Sequence, residues 1–109
     1  MIVHKQFLGD AEREFALPHF LIEELQRQCG AGIALIAGRV LGNAYSLSDL
    51  HQTIRLALIG GGTDPEEAVA LMKAYVLPRP INEAWALAVE IINAVFYGVE
   101  PAATEEVAA

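Results

Sequence analysis

The spacing of apolar residues along this 109-residue chain changes period near Pro18. Before it lie two short extended candidates, Val3 to Leu8 and Glu12 to Leu17, separated by Gly9-Asp10. The second sets Glu12, Glu14 and Ala16 against Arg13, Phe15 and Leu17, which aims Phe15 and Leu17 toward one face. Gly-Asp is a permissible hairpin turn because glycine accepts positive φ without steric cost. A lone hairpin is marginal in water, so a helix must cover the apolar face of a hairpin over residues 3–17.

After Pro18 the period becomes helical. Pro18 suits a helix's first turn, and a first helix over 18–29 places Leu21, Leu25 and Cys29 four residues apart, with Phe20 and Ile22 broadening the stripe. Gly30 ends it as a cap. Ile33, Ile36, Ala37, Val40 and Leu41 then give a short second helix over 32–42. Ser46 with Asp49 three residues on is a capping box in which Asp replaces Glu, and it opens a third helix over 47–59 with Leu47, Leu50, Ile54, Ala57 and Leu58 inward.

Gly60-Gly61-Gly62 reads as a helix C-cap plus a tight, flexible connection to a fourth helix over 65–76 that begins Asp64-Pro65-Glu66-Glu67. Asp64 is a good N-cap, Pro65 fits the first helical position, and Glu67 is placed to return to the Asp64 backbone N–H. Leu77-Pro78-Arg79-Pro80 predicts an extended crossing. A last helix over 81–97 carries one stripe of Ile81, Trp85, Ala88, Val89, Ile92 and Phe96 and a second of Leu87, Ile91 and Val95. Only a thin polar edge of Glu83, Ala86, Glu90, Asn93 and Tyr97 remains. Such a helix is central in its domain or covered by another protein. Residues 99–109, with Pro101, Glu105, Glu106 and small alanines, read as a disordered tail.

These elements make a single globular domain over 1–98, of α+β class and mainly α: an N-terminal β-hairpin packed on a bundle of about five short helices. At 54% hydrophobic and 19% charged residues, the composition is that of a chain that folds. A net charge of −7, with seven scattered basic residues, argues against nucleic acid and against an anionic membrane surface. The longest apolar stretch, AWALAVEIINAVFYG, is interrupted by Glu90 and Asn93 and falls short of the roughly 20 residues a bilayer requires. The N-terminus lacks the uninterrupted apolar run of a signal peptide, and the single Cys29 can form no intramolecular disulfide, so a cytoplasmic setting is the expectation.

Candidate chemistry is sparse. Three glycines before a helix invite a phosphate, but Asp64, Glu66 and Glu67 already occupy that helix start and would repel one, and no Gly-Lys-Ser/Thr follows. A dinucleotide fingerprint needs a strand before the glycines and a different spacing. His4, His19 and His51 fall on three elements with no metal-ligand spacing and read as surface or capping residues. Cys29 lies on an apolar stripe without an activating base. Glu23-Glu24 and Glu66-Glu67 diverge by about 100° around their helices and cannot share a proton. Ser46 and Ser48 have no Gly-x-Ser-x-Gly around them. The reading is therefore of no catalytic, cofactor or metal site and no enzyme.

FLGDAEREFALPHFLIEELQRQCGAGIALIAGRV resembles the N-terminal half of a small family found in bacterial gene transfer agents and related prophages, the phage tail assembly chaperone-like proteins. SLSDLHQTIRLALIGGGTDPEEAVALM resembles the family's next portion, where a Ser-x-x-Asp helix leads through a glycine turn into an Asp-x-Glu-Ala-type helix. The likeness covers about residues 5 to 98. The two prolines of Leu77-Pro78-Arg79-Pro80 depart from it.

The resemblance implies a non-enzymatic helper in building a phage-like tail, thought to bind the tape-measure protein or another tail component until the tube polymerises. It carries over no catalytic residues. The composition suits such a role, and the apolar excess of the last helix nominates Trp85, Val89, Ile92 and Phe96 as partner-binding residues. Two alternatives stand beside it: a minor structural tail component retained in a virion-like particle, and an enzyme with a site built on scattered carboxylates and His51. A homo-oligomer is also compatible with the sequence.

Overall fold

The structure is a computed structural model in which residues 2–98 are described. The tail expected over 99–109 lies outside the described residues. Strands β1 (His4–Leu8) and β2 (Ala11–Phe15) form an antiparallel hairpin, followed by helices α1 (His19–Cys29), α2 (Ile33–Leu41), α3 (Leu47–Gly60), α4 (Pro65–Tyr75) and α5 (Ile81–Ile92). A π-helical turn, Asn93–Tyr97, continues α5. The class is α+β and mainly helical.

Local chemistry accounts for most of the boundaries. Gly9 takes φ +71, a conformation that a two-residue hairpin turn led by glycine requires, and Leu8 faces Ala11 across it. Pro18 is the N-cap of α1 in extended conformation, one position earlier than expected, and its carbonyl accepts from Leu21 and Ile22 N–H. Gly30 closes α1 in the left-handed region. The start of α2 is capped from outside the helix: the Gln26 side-chain carbonyl on α1 accepts from Ile33 N–H at 2.8 Å. Both halves of the capping box are present at α3, Asp49 N–H to Ser46 Oγ at 3.1 Å and Ser46 N–H to Asp49 Oδ2 at 3.0 Å.

Four local readings change. At α4, Asp64 accepts from Glu66 N–H at 3.2 Å, and Glu67 turns away toward Arg13, 3.6 Å off, so the expected return to Asp64 is replaced by a tertiary ion pair. Residues 76–78 form a turn in place of the extended crossing expected over 77–80: Leu77 N–H reaches back to the Met72 carbonyl and Arg79 N–H to that of Val76. Gly61 caps α3 as expected, but the glycine run is not a flexible connection, because Gly60 and Gly61 press on the backbone of Ala16 and Glu14. Phe20, placed on the inner stripe of α1 by its spacing, is 66% exposed.

The central helix is α3. It buries Asp49, Leu50, Thr53, Ile54, Leu56, Ala57 and Leu58 and packs on α1, α4, α5 and β2. Helix α5 lies against it with Ala84, Leu87, Ala88, Ile91 and Ile92 inward. What looked like two opposed stripes on α5 is therefore one wide one, centred on Leu87, Ala88 and Ile91. Twenty-odd buried apolar side chains join in a single core, enough to hold a domain of this size without a staple.

Candidate protein-docking face

The end of α5 and the start of α1 approach each other across the mouth of the hairpin. Between them runs a trough of about 480 Å³ lined by Ile2, Leu17, Pro18, His19, Ile22, Ala94 and Val95. Six of these seven linings are apolar. Leu17 reaches it because β2 delivers the chain straight into Pro18, whose fixed φ aims α1 along the trough. Ala94 and Val95 reach it because the π-helical turn widens the last turn of α5 and rotates its side chains out of register with the helix before it. Gly98, left-handed at φ +69, terminates that turn. Next to the lining residues in the chain, Phe20, Phe96 and Tyr97 are 66%, 41% and 60% exposed, and the Phe96 and Tyr97 rings meet edge to face at 5.0 Å.

Of the four residues nominated from the sequence, the structure distributes them across three environments. Ile92 is wholly buried in the core and offers no surface. Val89 is half-buried against the core. Trp85 is also half-buried, its indole N–H donating to the Val40 carbonyl at 2.8 Å, which ties α5 to α2. Phe96 alone of the four is exposed. The trough's N-terminal wall, Ile2, Leu17 and Ile22, went unnamed because lining residues from three distant segments carry no common sequence period.

A second groove, of about 370 Å³, lies between β1 and the α4–α5 turn, lined among others by Gln6, Tyr75, Arg79 and Glu83. Its charged groups are committed to each other. Arg79 Nε and a terminal nitrogen donate to the two Glu83 oxygens at 3.0 and 2.9 Å, and those hydrogen bonds hold the Glu83 carboxyl below the usual glutamate value. A carboxylate locked ionised by a bidentate guanidinium is poorly placed to trade protons.

The other polar clusters are structural. His4, expected at the surface, is 4% exposed: its Nε2 lies 2.9 Å from Glu90 Oε2 and 2.9 Å from Gln6 Oε1, an arrangement that docks the hairpin on α5. Burial pushes the His51 imidazolium below the ordinary histidine value. Asp49, wholly buried, pairs with Arg39 at 2.7 Å. Among the described residues no three His, Cys, Asp or Glu side chains stand close enough to hold a metal ion, and no helix is long and apolar enough to cross a membrane.

A family model described as "Phage tail tube protein, GTA-gp10" matches residues 2–98. The chain belongs to that family, a gene transfer agent and phage tail family, which gives it a role in a phage-like tail. No curated protein and no solved structure matches it.

Proposed function

We propose, from membership in this tail family, that the protein is a non-enzymatic binding factor in tail assembly. It acts in the cytoplasm as a chaperone, holding an apolar helix of another tail protein, the tape-measure protein foremost, until the tail forms. The observation that carries this reading is the apolar trough between α1 and the end of α5. Its volume suits the anchoring side chains of an amphipathic helix laid along it, and the exposed Phe20 and Phe96, chain neighbours of its lining residues, serve as further contacts. The excess of negative charge keeps such a greasy-faced carrier soluble.

A second reading, that the chain stays in the finished particle as a structural component, is favoured by the family's own description as a tail tube protein. One experiment separates them. Tail genes are expressed together with the wild-type chain or with Val95→Asp, and both the co-purified complex and the purified particles are analysed by mass spectrometry. The chaperone reading expects the tape-measure protein in the wild-type complex, its loss with Val95→Asp, and no stoichiometric copy of this chain in particles. Stoichiometric presence in particles overturns it in favour of the structural reading.

A further inference from the structure

We propose that the outer edge of β1 is a pairing surface for a second copy of this chain, the two β1 strands joining antiparallel about a two-fold axis into one four-stranded sheet. The hairpin's register decides which backbone groups of β1 face outward. Leu8 faces Ala11 beside a two-residue turn, and such a flanking pair exchanges both backbone bonds, after which bonded and non-bonded pairs alternate. Gln6 with Arg13 and His4 with Phe15 are then bonded pairs. Lys5, Phe7, Glu12 and Glu14 point their N–H and C=O groups away from the hairpin.

The two outward edges have different fates. The β2 edge is blocked from Glu14 to Ala16 by the end of α3: Ala16 N–H donates to the Ala57 carbonyl at 3.0 Å, and Gly60 and Gly61 lie directly on the carbonyls of Ala16 and Glu14. The β1 edge is open. Among the described residues neither Lys5 nor Phe7 makes a backbone bond beyond the hairpin, and Phe7 is 67% exposed beside the groove it shares with Gly9 and Tyr75.

An open edge recruits an extended strand, and three features make this chain its own partner. Setting Lys5 opposite Phe7 of the second copy puts all the outward groups of both strands into bonded pairs. It also lays each ammonium beside a ring and not beside a second ammonium. With β2 blocked from Glu14 to Ala16, only Glu12 keeps outward groups on that side, too short a stretch for a further strand, so growth stops at two copies, a closed two-fold assembly and not a filament. Finally, β1 carries neither proline nor bulge, two of the devices by which edges refuse a neighbour. The third device, an edge lysine, is neutralised by the register itself.

So small an interface makes a weak dimer, with a Kd of about 0.1–1 mM. Sedimentation velocity on the full chain up to about 1 mM should show the average mass rising with concentration. Phe7→Pro removes an edge donor without taking a hairpin bond, and it should hold the mass at one copy with an unchanged circular dichroism spectrum. Phe7→Leu should leave dimerisation in place. Amide exchange decides the matter even if the proline variant misfolds: Lys5 and Phe7 amides should slow about two- to fivefold in wild-type protein at about 1 mM. A monomer throughout that range, or a dimer in which those two amides exchange at the dilute rate, overturns the proposal.

Discussion

Gly61 and Glu14 meet backbone to backbone: a Cβ on Gly61 would overlap the Glu14 carbonyl, and one on Gly60 would overlap that of Ala16. The C-terminus of the central helix is thereby pressed onto the second strand. Gly60→Ala and Gly61→Ala should each destabilise the domain by about 1–3 kcal/mol or more, since the obstacle is main chain that cannot swing aside. Gly38, exposed inside α2 with open space around it, is the control. Gly38→Ala should stabilise by about 0.5–1 kcal/mol. Urea denaturation of the three variants checks the ranking.

Asp49 serves three masters, accepting from Ser46 N–H and Arg39 while its own N–H is capped by Ser46 Oγ. Asp49→Ala strands the Arg39 cation and uncaps α3 together. Because Arg39 keeps some contact with water, the loss should sit at the low end for a broken buried pair, about 3 kcal/mol. Ser46→Ala, which removes one cap bond only, should cost about 1 kcal/mol. Equal losses in the two variants would show that the ion pair contributes nothing beyond the cap.

Cys29 is governed first by burial and then by the Asp49 carboxylate, which push its thiol up to about 11. The fold therefore holds this proton more tightly than the unfolded chain does. Its contribution is complete below the unfolded value near 9 and is lost as pH rises toward 11. Unfolding free energy should fall between about pH 9 and 11 and fall less in Cys29→Ala in that window. Alkylation by iodoacetamide at neutral pH should be roughly a hundredfold slower folded than in urea.

Ile92 and Phe96 divide stability from binding. Ile92→Ala, in the sealed core, should cost about 2–5 kcal/mol by the cavity it opens. Phe20→Ser, at a well-exposed site, should change stability by no more than about 0.5 kcal/mol and Phe96→Ser, which also loses the Tyr97 ring contact, by about 1–2 kcal/mol, while both weaken capture of the tail partner. Thermal melts and co-purification on the same samples measure the two effects separately. If the serine variants capture the partner normally, these exposed rings are not docking contacts.

Trp85→Phe keeps the ring but deletes the donor to the Val40 carbonyl. A loss of about 1–2 kcal/mol is expected, because a partly buried carbonyl is left without that partner. Chemical denaturation followed by circular dichroism, which does not depend on the indole, reads it.

The sequence by itself determined the elements and their class. Ser46 and Asp49, Gly30, Gly9 and Pro65 are local signals whose chemistry acts within four residues, so the hairpin and five helices could be read from spacing and caps alone. Which helix sits at the centre could not. Both α3 and α5 are apolar beyond one face, and only packing shows that α3 is enclosed by α1, α4, α5 and β2 while Leu87, Ala88 and Ile91 turn α5 inward. The glycine run read as a flexible connection because the backbone it touches, Glu14 to Ala16, lies over forty residues away in sequence. The trough was likewise invisible, since Ile2, Leu17, Ile22 and Val95 come together only when the hairpin, α1 and the π-helical turn converge. Periodicity records which face of an element prefers to leave water; which neighbour receives that face, and what is left uncovered, depends on contacts that only the folded chain brings together.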